Sequence, residues 1–299
     1  MPIMNRMLIA VAALAAGCTS AATAPAAAAA TTAPAQAVFT NMALHDPSVM
    51  QSFAYDPVHK TWIFAQLTWG SPASSGDLTL TKVSASGTQL GWMHLAGFGH
   101  GLSIGIDGSG GIWTEAHATA EPALGWALAG SYGNQVARFA WHSGATLTPA
   151  SPGVERFGVN AGAPEQTPSI DVADGLIAVQ YWSAGLHAFR WAVYSLAAFR
   201  QHSYPALARF TVPAALGIGV EQGWALASRT LVGNWQGAAS PGTYSGVTTA
   251  GVLAWKTLST AGSGEPEGMT RAGPGNLCTG FASGPAGARR ANVYCQVKP

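Results

Sequence analysis

A strand, a Gly-rich turn and a second strand recur along this chain, and that recurrence limits the fold more than any other feature. One copy is Phe98-Gly-His-Gly-Leu-Ser-Ile-Gly-Ile-Asp107, followed by Ile112-Trp-Thr-Glu115. Another is Gln51-Ser-Phe-Ala-Tyr-Asp56, followed by Trp62-Ile-Phe-Ala-Gln66. In both, the Ser precedes the Asp by four residues and the Trp by ten. Looser copies begin at Ser169, Gly223 and Gly268. Aligned on Ser52, Ser103, Ser169, Gly223 and Gly268, the units repeat at intervals of about 45–66 residues. Each interval suits one small antiparallel sheet, and a closed ring of such sheets is a β-propeller. The expected fold is all-β, a five-bladed β-propeller.

The first unit divides into strands over 50–56, 61–67, 77–84 and 89–95, separated by the polar loop Ser71–Gly76 and the turn Ala85–Gly87. The second runs from His100 to about Leu147, the third over 166–203 and the fourth over about 209–260. The last starts at Glu265 and has room for three strands only, at 267–272, 276–283 and 291–297. A lone strand at 38–44 precedes the first unit. An open sheet edge invites aggregation, so the N-terminal strand is expected to complete the last blade. No segment has a convincing amphipathic pattern. His187–Arg200 is apolar enough to pass for a helix, but its aromatic and β-branched content also suits buried strands.

The expected domains are a leader and Ala/Pro/Thr-rich segment at 1–37 and a propeller at 38–299. Arg6 and the apolar run Met7–Ala16 form an export signal too short to span a bilayer. Two processing routes are open. Leu14-Ala-Ala-Gly-Cys18 resembles a lipobox whose Leu is one position too far from the Cys, making Cys18 a lipidation candidate. Ala35-Gln-Ala37 is the alternative cleavage site. Either route places the protein outside the cell or on the wall, with no membrane span and a lipid anchor as an option. The remaining cysteines, Cys278 and Cys295, flank a turn-like stretch. A symmetric hairpin about it opposes them within bridging range, so a disulfide is expected, with two buried free thiols as the alternative. A chain with 14 basic and 13 acidic residues and a net charge of +1 lacks the clustered cations that nucleic acid requires.

Several stretches resemble the propeller family shared by the teichoic-acid biosynthesis protein TagC and the receptor-binding proteins of staphylococcal phages. They are Met50–Asp56, Gly76–Lys82, Gly97–Gly101, Ile112–Glu115, Glu265–Met269, Leu277–Gly284 and Arg289–Asn292, in an order and spacing that span 38–299. The resemblance implies a five-bladed propeller that recognises a cell-wall glycan or teichoic-acid-like polymer. It supplies no catalytic set.

The first strand of each unit lines the channel of a propeller. Gln51, His100, Gln166, Gln222, Glu265 and Glu267 lie just ahead of the anchors and converge on one end. Amides and carboxyls in a ring suit sugar hydroxyls, which donate and accept; the alternative is a wet channel whose polar groups satisfy one another. Exposed aromatics beside loops, Trp69, Trp126, Trp182 and Trp235, can stack on sugar rings, whereas Trp62, Trp113, Trp191 and Trp255 read as core. Glu115, Glu165 and Asp171 could join Glu265 and Glu267 as the paired carboxyls of a glycan hydrolase. Glu265 and Glu267 share a strand face unless Pro266 splays them. Gly101-Leu-Ser-Ile-Gly105 matches the G-x-S-x-G nucleophile pattern but continues into a strand rather than a helix, so Ser103 reads as packing. No histidine pair or Cys partner marks a metal site, and no cofactor is expected. The leading expectation is a non-catalytic binder of wall glycopolymer or other carbohydrate; the alternatives are a hydrolase using funnel carboxyls and a protein-interaction scaffold.

Overall fold

The computed structural model describes residues 35–119, 132–212, 220–236, 243–258, 264–273 and 276–297. Cys18, residues 1–34 of the expected leader segment and Trp126 lie outside them. The described residues begin with β1 (Gln36–Met42) and then build five sheets. Blade 1 holds β2 (Met50–Asp56), β3 (Thr61–Leu67), β4 (Leu78–Ser84) and β5 (Gln89–Leu95). Blade 2 holds β6 (Gly105–Ile106), β7 (Ile112–Thr119) and β8 (Tyr132–Phe139). Next, β9 (Thr146–Leu147) returns to blade 1, and β10 (Glu155–Phe157) completes blade 2. Blade 3 is β11 (Thr167–Asp171), β12 (Leu176–Ser183), β13 (Ala188–Ser195) and β14 (Ala208–Thr211). Blade 4 is β15 (Val220–Ala227), β16 (Thr230–Gln236), β17 (Thr243–Thr248) and β18 (Leu253–Leu258). Blade 5 is β19 (Glu265–Arg271), β20 (Asn276–Ser283) and β21 (Arg290–Val297), with β1 as its fourth strand, antiparallel to β21. The protein is a five-bladed β-propeller, closed by its N-terminal strand.

The spacing of Ser, Asp and Trp has a local cause. Each Asp closes the turn between the first two strands of its blade. Asp56 Oδ1 accepts from the amides of Val58 and His59, and Asp107 Oδ1 from those of Ser109 and Gly111. Such side-chain-capped turns set the hairpin register. Trp62, Trp113 and Trp191 then fall into the clefts between blades. Apolar cores fill those clefts, one between each pair of neighbouring blades. Phe39 of β1 reaches across one of them, with its ring edge-on to Trp62 and Phe64 at 5.7 and 5.9 Å.

Two expectations need correction, and one open reading resolves. The second unit does not end within its own blade at Leu147, because β9 crosses to run parallel with β5. There, His94 N donates to Ala145 O and Ala96 N to Leu147 O, both at 2.8 Å. The crossing covers an edge that blade 1 would otherwise expose. The strand expected through 98–107 shortens to Gly105–Ile106, since Gly101 N turns aside to donate to Glu115. Finally, 187–200 is mostly strand, yet its last turn is a helix, α1 (Leu196–Arg200), started by Ser195, whose hydroxyl accepts from Ala198 N. No helix among the described residues is long and apolar enough to cross a membrane.

Candidate functional site

The inner strands β2, β6, β11, β15 and β19 stand around the axis, and their small anchors meet there. A Cβ built on Gly268 would fall 2.6 Å from Ser52 Cα. Ser52 donates its hydroxyl to Gly101 O at 2.5 Å, and Ser103 donates to Pro168 O at 2.9 Å and, past blade 3, to Trp224 O at 3.4 Å. Ser103 is thus a buried packing hydroxyl with main-chain partners and no basic residue on it. The anchors close the axis, leaving a pit at each end.

At the end where β11 and β19 finish, a pit of about 210 Å³ contains Asp171 and Arg271. Arg271 Nη1 donates to both Asp171 oxygens at 2.6 and 2.7 Å, and Ser228 N donates to Oδ2. Asp171 is therefore committed to an ion pair, far from the glutamates with which sequence grouped it.

At the opposite end lies a pit of about 330 Å³. Gln51, Trp69, His100, Gln222, Glu265 and Glu267 line it together, with Ser48 and Arg289. Trp69 is 56% exposed. Its amide donates to Asp46 Oδ2 at 2.9 Å and its indole edge lies against Gly287, so the ring is held as a wall of the pit. Glu265 Oε2 sits 3.7 Å from Arg289 Nη2. A bulge after Glu267 lets neighbouring Glu267 turn inward, buried, with Oε2 lacking a partner. Burial, reinforced by Glu265, holds the Glu267 carboxyl well above the ordinary range. His100 stacks on Tyr132 at 4.9 Å, and burial lowers its pKa to about 4, so the ring is neutral at pH 7.

Two sequence candidates are spent on structure. Glu115 accepts from Gly101 N and Gly133 N at 2.7 and 2.6 Å, tying the 97–101 loop to β8; burial still pushes its pKa to about 7. Gln166 uses its whole amide, donating to the carbonyls of Asn134, Asn160 and Ala163 and accepting from Asn160 N. Neither lines the pit.

Arg289 lines the pit and was missed; Tyr132, stacked on His100, and Glu221 were also not singled out, and both lie outside the pit's lining. Glu221 accepts from Gln180 Nε2, and burial raises its pKa to about 8. Glu165 is also pushed to about 8, by burial and then by Glu115 and Glu221, and its φ of +58° is left-handed. The adjacency of Glu221 to Gln222 was the available signal. Tyr132 carried none, because it belongs to β8, and Arg289 stood out only as the start of the Arg289–Asn292 stretch, with no sign that it reaches the pit.

No family model matches the chain. A putative major teichoic acid biosynthesis protein C of Bacillus subtilis (strain 168) is 26% identical over 149 residues, 48% of this chain and 32% of that protein. The tail fiber of Staphylococcus aureus phage P68 matches 89% of this chain with a TM-score of 0.68 and 17% identity, and 53% of that fiber is covered. The chain is similar to teichoic acid biosynthesis protein C in sequence and to the phage tail fiber in fold. This TagC-like chain thus spans about a third to a half of those relatives. A gluconolactonase of Xanthomonas campestris matches 91% of the chain at a TM-score of 0.44 and 10% identity, too loosely to carry an argument. The TagC-like ring has its polar pit where the inner strands begin, and the pit's aromatic wall comes from the β3–β4 loop.

Proposed function

We propose that the protein is an exported, wall-associated propeller that binds a cell-wall glycan or teichoic-acid-like polymer without altering it. One observation carries this reading: Gln51, Trp69, His100, Gln222, Glu265, Glu267 and Arg289 share one open pit. Amides, a neutral imidazole and a carboxyl that burial biases toward its protonated form offer both donors and acceptors to hydroxyls, and an exposed indole offers a face to a sugar ring. The volume suits one or two sugar units, at the small end of ligand pockets. The names of the relatives, a teichoic acid biosynthesis protein and a phage tail fiber, support the polymer class. Retention of the exported protein on cell walls, before and after wall polymers are stripped, tests it. Retention lost on stripping, with no sugar released, is expected; equal retention on stripped walls refutes the polymer reading.

A second reading has its own observation. Glu265, beside Arg289, and Glu267, whose buried carboxyl is held well above the ordinary range, line the same pit, as a carboxylate pair of a hydrolase would. Release of sugar by the wild-type protein that disappears in Glu267→Gln would establish it in place of the first.

A further inference from the structure

The end of the ring opposite the polar pit is a platform of hairpin turns. The inner strands β2, β6, β11, β15 and β19 all finish there, and the turns that follow them touch one another. A Cβ built on Gly110 would lie 3.1 Å from the His59 ring, and one built on Gly108 would lie 3.4 Å from Val172 Cγ1. Ser228 N donates to Asp171 Oδ2, and Arg271 reaches Asp171 from blade 5. The aspartates of these turns sit beneath the surface. Asp56, Asp107 and Asp171 are buried, and each holds turn amides, an arginine or both.

What reaches the surface has a different chemistry. Val58, Leu90, Val172, Leu207 and Val252, five of the eight exposed large hydrophobics among the described residues, lie at this end. Lys60, Arg200 and Arg229 are exposed here as well, and no ion pair among the described residues includes them. The exposed acids at this end, Glu155 and Asp174, each have an arginine, Arg138 at 3.7 Å and Arg271 at 3.8 Å. Lys60 and Arg229 hold left-handed φ values of +55° and +58°, which residues other than glycine rarely adopt. Two turn tips thus carry a long cation where a glycine would fit with less strain.

A soluble polyanion would meet the cations and leave the valines and leucines in water. An anionic bilayer meets both, because its headgroups attract Lys and Arg while apolar side chains enter the boundary beneath them. The path of the chain agrees. β1 runs from this end toward the pit, antiparallel to β21, so everything before Gln36 joins the ring on this side. That preceding stretch contains the apolar run Met7–Ala16 and Cys18, and Cys18 is within about 60 Å of extended chain from Gln36. We propose that this platform rests on an anionic lipid surface, with Lys60, Arg200 and Arg229 against the headgroups and Val58 and Val172 in the boundary, so that the polar pit opens away from the bilayer. This orientation holds whatever fills the pit.

Hydrogen exchange of the whole wild-type chain, with and without vesicles, tests this without a variant. On vesicles of phosphatidylglycerol in phosphatidylcholine, residues 58–60, 172–175 and 228–229 should exchange more slowly, while the 71–76 loop at the pit end is unchanged. Binding to pure phosphatidylcholine should be weaker by on the order of 10-fold or more. Lys60→Gln, Arg200→Gln and Arg229→Gln together should weaken co-sedimentation with the anionic vesicles about 10- to 100-fold. The N-terminal segment is the same in both proteins, so that difference belongs to the platform. Protection centred on 71–76, equal binding to the two vesicle types, no loss in the triple variant, or protection of the platform by inorganic polyphosphate but not by vesicles would each overturn the proposal. Wall retention without vesicle binding leaves the polymer reading standing and removes the lipid-facing platform. Vesicle binding without wall retention does the reverse.

Discussion

The backbone of Gly268 lies so close to Ser52 that a side chain on the glycine would begin 2.6 Å from the serine Cα, and its φ of +65° is one that other residues resist. Gly268→Ala should therefore destabilise the fold by about 2–3 kcal/mol, through crowding at the axis and backbone strain together. Denaturant unfolding measures it; a variant as stable as wild type would mean that the ring opens freely at this point.

Cys278 and Cys295 face each other across β20 and β21 and are joined, closing a sequence separation of 17 residues. Replacing both by Ser should cost about 3 kcal/mol in the loop-entropy picture. Thiol titration of the purified, unreduced protein should find neither group free.

The glutamates and the acid-side groups impose opposite pH limits. Glu165 and Glu221 are raised from 4.5 to about 8 in the fold. The folded state thus holds protons that the unfolded chain has lost, and stability falls as pH rises from about 4.5 through 8. Burial also raises Asp107, but hydrogen bonds from Arg138, Ser109 and Trp113 outweigh it and hold its pKa below the ordinary range, so its contribution is lost in acid. His100, lowered from 6.5 to about 4, likewise withdraws support as pH falls through that window. Glu165→Gln should raise the Tm relative to wild type by about 2–4 °C or more at pH ~9 and by much less at pH ~4.5. Calorimetry at the two pH values checks it, and an equal shift at both would contradict the assignment.

Gln166 should matter to folding and not to binding. Gln166→Leu strands three carbonyls and one amide that its side chain now satisfies, at a cost of about 2–4 kcal/mol. Variant that remains folded should be retained on walls like wild type.

Trp69→Ala should do the opposite. The ring is 56% exposed, so stability changes little. If the indole stacks on the ligand, wall retention weakens roughly tenfold, about 1–2 kcal/mol. Undiminished retention would move the binding surface away from this wall.

Much of the ring was legible because its determinants are local. Asp56 and Asp107 cap their own turns, and the strands around Ser52 were placed almost to the residue. The expected pit lining drew six residues together because each lies within a few positions of an anchor or, for Trp69, in a loop beside the inner strand. What escaped depends on distant partners. The crossing of β9 is decided by the empty edge of β5, about fifty residues earlier. Glu115 and Gln166 look like ligand groups in sequence, and only the tertiary structure shows that the amides of Gly101 and Gly133 and the carbonyls of Asn134, Asn160 and Ala163 consume them. Asp171 belongs to the far end because β11 carries it five residues along the axis from the pit.

The clasp of β1 on β21 makes closure of the ring wait for β21. Asn41 N donates to Asn292 Oδ1, a contact spanning 251 positions, and Gln36 pairs with Cys295. Among the described strands, the first to be synthesised is therefore the last to find its place. Until β21 exists, blades can collapse in sequence but the circle cannot shut, and a contact of such high order is slow to form. In that interval β1 and the rim of blade 5 are both unpaired, so a chain cut short after blade 4 is left with a lone strand and an open end where aggregation would begin.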